Sequence, residues 1–130
     1  MTRAVQPILL DTDVVIDYLR GSTQAAEFLE HAGAPLLLSA MTVAELYAGV
    51  RDGEEVRTLE RFCRAFQIVD VNAAIAGRGG MLRRDYGKSH GVGLADAIIA
   101  ACAESKKATL VTLNRRHFPM LQGVITPYSK

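Results

Sequence analysis

Short apolar runs alternate with longer stretches of helical periodicity along this chain, and the short runs predict strands. Strands that alternate with helices are typical of βαβ units, which assemble into a parallel sheet covered by helices. We therefore expect an α/β fold with a central parallel sheet of four or five strands. The predicted strands are residues 8–10, 36–38, 67–69 and 110–111, with residues 124–125 as a candidate fifth strand at an edge.

The predicted helices begin at capping residues and end at glycines. Ser22 and Thr23 are candidate N-caps for the second helix. Thr42 opens the third helix, and Asn72 caps the fifth, which we expect to end near Arg84. Glycines at positions 87, 91 and 93 indicate a loop before the last helix. The predicted helices cover about residues 14–19, 25–31, 42–50, 54–66, 72–84 and 94–104.

Length and composition indicate one globular domain. A chain of 130 residues fits a single domain, residues 1–130, because one core usually serves roughly 50–200 residues. Hydrophobic residues make up 49% and charged residues 22% of the chain, a balance that excludes a disordered protein. Cys63 and Cys102 lack CxxC spacing, so we expect core residues in a reducing compartment instead of a zinc site or disulfide framework.

The sequence carries no sign of a membrane or secretory segment. The first residues, MTRAVQPILLD, reach an acid too soon for a signal peptide. No apolar run approaches the roughly 18–20 residues that a membrane span requires. We therefore expect a soluble cytoplasmic protein.

Polar residues that are candidates for a functional site follow several of the predicted strands. Asp11 and Asp13 come directly after the first strand, Glu45 lies in the first helical turns after the second, and Asn114 follows the fourth. Sites in open parallel sheets form just beyond the carboxyl ends of the strands. We therefore expect these side chains to meet at one edge of the sheet.

Asp96 lies near the start of a predicted helix that is apolar on every face. Such a helix is buried, and a buried carboxylate costs several kcal/mol unless it is paired or bound to a metal. The structural alternative is a first-turn acid that the helix dipole and backbone amides satisfy. Both interpretations stay open for this residue alone.

Glu45 and Asp13 also have structural alternatives. Residues 42–45 match the S/T-x-x-E capping box, in which Glu45 reaches back to the amide of the N-cap residue Thr42. Asp13 has the position of an N-cap for the first helix.

Two further acids are expected to lie outside the site. Asp17 precedes Arg20 by three residues, which predicts a solvent-exposed ion pair on a helix surface. Asp70 follows the third strand and is expected to be a turn or cap residue.

Several carboxylates at one edge would repel one another unless a cation neutralises them. All-oxygen ligands select a hard ion such as Mg²⁺ or Mn²⁺, and the chain offers no His or Cys set for zinc. Such an ion activates water and polarises phosphoryl oxygens. The acids therefore favour hydrolysis of a phosphate ester.

Four ordered segments resemble a known family. LLDTDVVIDYLRG, SAMTVAELYAGV, GVGLADAIIAACA and LVTLNRRHF are similar to motifs of the PIN domain and, more narrowly, of the VapC toxins of bacterial toxin–antitoxin pairs. The resemblance spans nearly the whole chain.

This resemblance implies a three-layer α/β/α fold and a Mg²⁺- or Mn²⁺-dependent endoribonuclease. The invariant acids of the family correspond to Asp11, Glu45 and Asp96, which would be catalytic residues and metal ligands. Members cut RNA, often tRNA or ribosomal RNA, and form homodimers. A cognate VapB antitoxin silences them, and the toxin–antitoxin complex, not the toxin alone, binds operator DNA.

Asn114 is a departure from the family pattern. Many members have a fourth acid at this position, whereas Asn114 contributes an amide without charge. It remains a candidate catalytic residue through its carbonyl or by orienting a water. Asp13 lies where relatives often have Ser or Asn, so it is a candidate replacement for the missing acid.

The net charge of +1 provides no strong basic field for a nucleic acid, but basic residues are clustered. One cluster contains Arg83 and Arg84, and the other contains Arg115 and Arg116. All four are candidate phosphate contacts to RNA. An ordinary solvated surface is the alternative for each.

Other function classes stay open at the level of sequence. LLDTDVV fits the nucleophile motif of a haloacid-dehalogenase-like phosphatase, but that assignment leaves Asp96 unexplained. A non-enzymatic phospho-receiver module would use Asp70 as its acceptor and Thr112 as its hydroxyl, but it lacks the expected lysine. A catalytically inactive interaction domain is the third alternative.

Overall fold

A computed structural model of the protein describes residues 5–129. Helices and short strands alternate along the chain, as the hydrophobic pattern predicts. The strands are β1 (Ile8–Leu10), β2 (Leu36–Ser39), β3 (Gln67–Val69) and β4 (Thr109–Val111). The helices are α1 (Thr12–Leu19), α2 (Thr23–Glu30), α3 (Ala40–Ala48), α4 (Glu54–Arg64), α5 (Ala73–His90) and α6 (Leu94–Lys106), and a 3₁₀ turn covers Arg115–His117.

The four strands form one parallel sheet in the order β3-β2-β1-β4. The candidate fifth strand is present only as a single parallel bridge between Val111 and Ile125. The amide of Ile125 donates to the carbonyl of Leu110 at 3.0 Å, and its carbonyl accepts from the amide of Thr112 at 3.0 Å. Residues 124–125 therefore cover the exposed edge of β4 without extending the sheet.

Successive strand residues point to opposite faces of the sheet, and each face has its own core. Leu9, Leu37 and Leu110 pack with residues of α5 and α6. Leu10 and Leu38 pack on the other face with residues of α1, α3 and α4. Two helical layers therefore enclose the sheet, which confirms the predicted three-layer α/β/α architecture.

Helix α5 is longer than the sequence predicts. We expected it to end near Arg84 and placed Gly87 in a loop, but the helix continues through Gly87 to His90. It ends at Gly91, whose φ of +65° is a left-handed conformation that glycine adopts without strain. The prediction was wrong because each helical glycine costs only about 1 kcal/mol, which packing elsewhere in a helix can offset.

One glycine of α5 allows the helix to approach α6 closely. A Cβ atom at Gly79 would lie 2.8 Å from Cγ1 and 3.1 Å from Cα of Ile98. These distances are shorter than ordinary van der Waals contact. Gly79 is therefore a packing residue between the two longest helices, and Ile98 fills the space that a side chain would need.

Helix α3 begins earlier than predicted. Its N-cap is Ser39, whose Oγ accepts from the amide of Met41 at 2.9 Å, so Thr42 is an interior helical residue and the predicted capping box is wrong. The polar end of β2 supplies a better-placed cap than Thr42, because the chain becomes helical immediately after the strand.

Asp17 is buried, so the predicted exposed ion pair with Arg20 is also wrong. The hydroxyl of Tyr128 donates to Asp17 Oδ2 at 2.9 Å. This hydrogen bond joins the C-terminal segment to α1 across 111 positions of sequence, a contact that helical spacing cannot reveal.

Both cysteines are free, and Cys102 is buried as predicted, whereas Cys63 is only half-buried. Within residues 5–129, none of the helices has the length and apolar character needed to cross a membrane.

Candidate active site

Asp11 lies at the carboxyl end of β1 and is the N-cap of α1. Its Oδ1 accepts from the amide of Thr12 at 2.8 Å, and its Oδ2 accepts from the hydroxyl of Thr112 at 2.7 Å. Thr112 follows β4, the neighbouring strand, so the two strand ends are joined directly. Only 6% of Asp11 is exposed. This carboxylate is therefore fixed in orientation at the predicted edge of the sheet.

Asp13 does not cap α1, because Asp11 occupies that position. Instead, Asp13 Oδ2 accepts from the amide of Leu113 at 3.1 Å and from the hydroxyl of Thr112 at 3.4 Å. Its Oδ1 is buried and accepts no hydrogen bond within the described chain. A buried carboxylate oxygen without a partner is costly, which favours its neutralisation by a proton or a cation.

Negative charge is concentrated around Asp11. Burial, the charge of Asp13 and, more weakly, the charge of Asp96 together raise its pKa to about 7, against the opposing effect of the two hydrogen bonds. Burial also raises the pKa of Asp13. The pKa of Asp11 therefore lies near neutral pH, and its surroundings favour neutralisation of the carboxylate by a proton or a cation.

Glu45 is bound by the first turn of α1. The hydroxyl of Thr12 donates to Glu45 Oε1 at 2.7 Å. The hydroxyl of buried Thr42 lies 2.9 Å from that of Thr12 and, because the proton of Thr12 is engaged, Thr42 is the donor in this contact. Glu45 therefore contacts the residue next to Asp11, and it does not reach back to the N-cap of its own helix.

Asp96 lies in the first turn of α6, whose N-cap Gly93 provides no side-chain cap. The side chain of Asp96 is 26% exposed, and its Oδ2 lies 3.0 Å from Nδ1 of His117. The helix is buried in its later turns, but Leu94 near the site is 55% exposed. The expectation of burial on every face is therefore wrong for the first turn, and Asp96 is accessible.

Asn114 and His117 complete the edge after β4. The amide of Asn114 donates to Thr112 Oγ1 at 3.0 Å, and its Nδ2 lies 2.9 Å from Nδ1 of His117. We did not predict a contact between His117 and Asp96. The i, i+3 spacing of Asn114 and His117 accounts for their own contact in the 3₁₀ turn, but no local pattern reveals the contact with Asp96, which belongs to another element.

The structure brings the predicted site residues to one edge but does not gather them into a cage. The hydroxyl of Thr112 donates to Asp11 and accepts from the backbone amide of Asn114. Glu45 accepts from the hydroxyl of Thr12 instead, and Asp96 contacts His117. Among residues 5–129, no group of three Asp, Glu, His or Cys side chains is arranged to hold an ion by itself. The unpaired oxygen of Asp13 and the raised pKa of Asp11 nevertheless fit a hard cation, which binds carboxylate oxygens.

The predicted RNA-contacting arginines have different surroundings. Arg84 pairs with Asp85 at 2.9 Å, and the guanidinium of Arg83 lies across the surface of α5 where Gly87 has no side chain. Arg115 and Arg116 are exposed in the 3₁₀ turn that also contains His117. The second pair is therefore adjacent in sequence to His117, which contacts Asp96 at the acidic edge.

The sheet order bears on the phospho-receiver alternative. Asp70, the acceptor in that alternative, follows β3, which β2 separates from β1. It therefore lies two strands away from the strand that ends at Asp11, and none of the contacts around Asp11 involves it.

Comparisons with known proteins agree with this geometry. The PIN domain family model matches residues 8–121. Ribonuclease VapC10 of Mycobacterium tuberculosis is 38% identical over 125 residues, which cover 94% of this chain and 93% of that protein.

Solved structures give the same result. A toxin–antitoxin complex from Klebsiella pneumoniae contains a chain with a TM-score of 0.82 and 31% identity, over 95% of this chain and 99% of that one. The structure of VapBC2 from Rickettsia felis, bound to a DNA fragment from its promoter, gives a TM-score of 0.75 and 25% identity over 92% of this chain and 96% of that one. The chain therefore belongs to the PIN domain family and, within it, to the VapC group.

Proposed function

We propose that this protein is a Mg²⁺- or Mn²⁺-dependent endoribonuclease and the toxin of a VapBC-type toxin–antitoxin pair. The observation that carries the proposal is the crowding of carboxylates around Asp11, whose pKa burial and neighbouring acids raise to about 7. Crowding of this kind is costly in a protein that binds nothing there, and it is typical of catalytic metal sites. The name of the M. tuberculosis relative supports ribonuclease activity.

Asp11, Asp96 and Glu45 are the proposed metal ligands, with the unpaired Oδ1 of Asp13 as a further donor. Mg²⁺ usually keeps several waters and is bound through one or two carboxylates, so a closed cage of three side chains is not required. When bound, the ion polarises a phosphoryl oxygen and lowers the pKa of water.

The surrounding residues position the acids in this proposal. Thr112 and the amide of Thr12 hold the carboxylate of Asp11, while the hydroxyl of Thr12 orients Glu45. Glu45 would then orient the attacking water for in-line displacement, which leaves a 5′-phosphate and a 3′-hydroxyl. Asn114 lies beside His117, which contacts Asp96, and would orient a water with its side-chain amide.

The proposed substrate is tRNA or ribosomal RNA in the cytoplasm, and the proposed assembly is a homodimer. A VapB-type antitoxin is the proposed partner, with operator DNA bound only through the joint complex. The Klebsiella relative is part of a toxin–antitoxin complex, and the Rickettsia relative is part of a VapBC2 complex bound to promoter DNA. These relatives support the partner and the DNA, and the substrate and dimer follow from the family resemblance alone.

Substitution of Asp96 tests the proposal. We expect Asp96→Asn to reduce cleavage of RNA by at least a hundredfold with Mg²⁺ or Mn²⁺ present, because the change removes a charge while it preserves the shape of the side chain. Chelation with EDTA should abolish cleavage by the wild type. Product ends on a synthetic RNA and circular dichroism of each variant are the measurements.

Asp70→Asn is the matched control, because it removes an exposed acid at the same edge of the sheet but outside the site. It should cleave like the wild type. Near wild-type cleavage by Asp96→Asn, or cleavage that persists in EDTA, would contradict the proposal. A wild type that cleaves no RNA would favour the inactive interaction domain.

A further inference from the structure

A positively charged pocket lies beside the acidic edge, between the C-terminal end of α5 and the 3₁₀ turn. Its volume is about 440 Å³. None of the acids in the described part of the chain lines it, although the neighbouring site is rich in carboxylates. The lining residues are Ser89, His90, Arg115, Arg116, His117 and Pro119.

The two arginines of this pocket are available to a ligand. Both are exposed, and within residues 5–129 neither lies within ion-pair distance of a carboxylate. Arg51, Arg78 and Arg84 are engaged in ion pairs instead. Arginines on α4 such as Arg57 and Arg64 are also exposed, but they do not line this pocket. A guanidinium donates two parallel hydrogen bonds to a phosphate, so an unpaired pair of arginines in one pocket favours a phosphate ligand.

His117 connects the pocket to the acidic edge. It lines the pocket, and its Nδ1 lies 3.0 Å from Asp96 Oδ2. An anion in the pocket would therefore be separated from Asp96 by a single side chain. The carboxylates of that edge repel a polyanion, and a cationic pocket directly beside them offsets this repulsion.

We propose that this pocket binds a backbone phosphate of the RNA strand next to the phosphodiester that is cleaved, an inference that rests on the proposed function. Arg115 and Arg116 make the charged contacts. Ser89 and His90 at the end of α5 form the opposite wall, where the Ser89 hydroxyl lies 2.7 Å from Nδ1 of His90. The preferred substrate is therefore a strand that continues past the cleavage site by at least one nucleotide.

Salt-dependent binding tests the two arginines. The probe is a fluorescein-labelled, mixed-sequence single-stranded RNA, and anisotropy in EDTA measures binding without cleavage. We expect Arg115→Ala/Arg116→Ala to bind at least tenfold more weakly at low salt. Each phosphate contact on a single strand contributes about 0.7 to the slope of log K against log salt, so the slope should fall by about 1.4.

Arg57→Ala/Arg64→Ala is the matched control. It also removes two exposed arginines, but both lie on α4 and outside the pocket. The control should retain the wild-type slope. Equal slopes for the two double variants would overturn the pocket, because the loss would then come from net charge alone.

A modified RNA tests where the phosphate lies. Neutral methylphosphonate linkages placed one at a time should weaken wild-type binding at a single position, and the Arg115→Ala/Arg116→Ala variant should be insensitive to that position. Inorganic phosphate alone should bind weakly. Binding of inorganic phosphate as tight as that of RNA, and lost in the same variant, would overturn the assignment to an RNA backbone.

Cleavage with Mg²⁺ separates this inference from the proposed function. We expect the pocket variant to raise KM at least tenfold and to keep kcat within about threefold, because the arginines bind the flanking strand and do not contact the reacting atoms. Cleavage with an unchanged KM would overturn the pocket and leave the nuclease intact. Absence of cleavage by the wild type would instead overturn the proposed function, and the flanking-phosphate assignment with it.

Discussion

At the scale of the residue, Asp11 combines a structural and a functional position. Its carboxylate caps α1 and joins β1 to β4 through Thr112, yet it lies among other acids in a buried place. An asparagine would keep the cap and the shape without the charge, because Asn and Asp are similarly good N-caps. The ionised carboxylate is therefore a cost to folding whenever no cation is bound.

We expect Asp11→Asn to stabilise the metal-free protein at alkaline pH. The pKa of Asp11 is about 7 in the folded protein and ordinary, near 4, in the unfolded chain. Between pH 4 and pH 7, Asp11 is therefore protonated in the folded protein and ionised in the unfolded chain. The stability that this difference contributes is fully present below pH 4 and is lost as the pH rises through 7. Urea unfolding in EDTA should show that Asp11→Asn increases the free energy of unfolding relative to the wild type, and that this increase is larger at pH 8 than at pH 5 by on the order of 2–4 kcal/mol.

Asp70→Asn provides the comparison, since this exposed acid lies outside the cluster and its substitution should change stability equally at both pH values. A loss of stability for Asp11→Asn at pH 8 would mean that the charge of Asp11 is compensated within the chain, contrary to the geometry described.

The sequence located several acids of the site but not their contacts. Asp11 and Asn114 follow from the rule that sites form at strand ends, and Asp96 follows from an acid in an apolar helix. The partner of Glu45 could not be predicted, because the Thr12 hydroxyl belongs to another element and a local capping box explained Glu45 equally well. Contacts between distant elements depend on packing, which local patterns do not encode.

At the scale of the element, the strands were predicted within about one residue and α5 was not. Apolar runs between polar turns leave little choice for a buried parallel strand. The glycines of α5 reduce helix propensity, and they led us to end the helix too early. The sequence alone could not show that Gly79 is needed for close packing on α6. This packing has a larger effect on stability than the low helix propensity of glycine.

We expect substitutions at two neighbouring glycines of α5 to have opposite effects. A Cβ at Gly79 would lie 2.8 Å from Ile98, so Gly79→Ala should destabilise the protein by about 1–3 kcal/mol through overpacking. A Cβ at Gly80 meets nothing within 4 Å, so Gly80→Ala should stabilise the helix by about 0.5–1 kcal/mol. Chemical denaturation of both variants measures the difference, and equal effects would refute the close contact with α6.

At the scale of the whole molecule, the fold brings together residues from both ends of the chain. Asp11 and Thr112 are 101 positions apart, and Asp17 and Tyr128 are 111 positions apart. The alternation of strands and helices predicted the shared edge at which β1 and β4 end, and so explains why the first contact is possible, but it did not name Thr112 as the partner of Asp11. It could not predict the second, because Tyr128 lies in a segment without regular structure and spacing within α1 suggested an exposed Asp17.

The proposed metal should couple to the stability of the whole fold. A ligand that binds only the folded state stabilises it by about 2.7 kcal/mol at a concentration of 100 Kd, which is several degrees in Tm for a domain of this size. Protons compete with the ion for Asp11, whose pKa is about 7, so the gain with Mg²⁺ should be larger at pH 8 than at pH 6.

Thermal unfolding against Mg²⁺ concentration measures this coupling, with NaCl at matched ionic strength as the control for screening. Asp11→Asn should already unfold at a higher temperature without metal at pH 8 and should gain little from Mg²⁺. A wild type whose Tm at pH 8 does not respond to Mg²⁺ or Mn²⁺ would show that the acids are not neutralised by a divalent ion. Equal gains at pH 6 and pH 8 would show instead that the ion binds away from Asp11. The combination expected here, a pH-dependent gain that Asp11→Asn removes, requires the charge of one carboxylate to control both folding and metal binding.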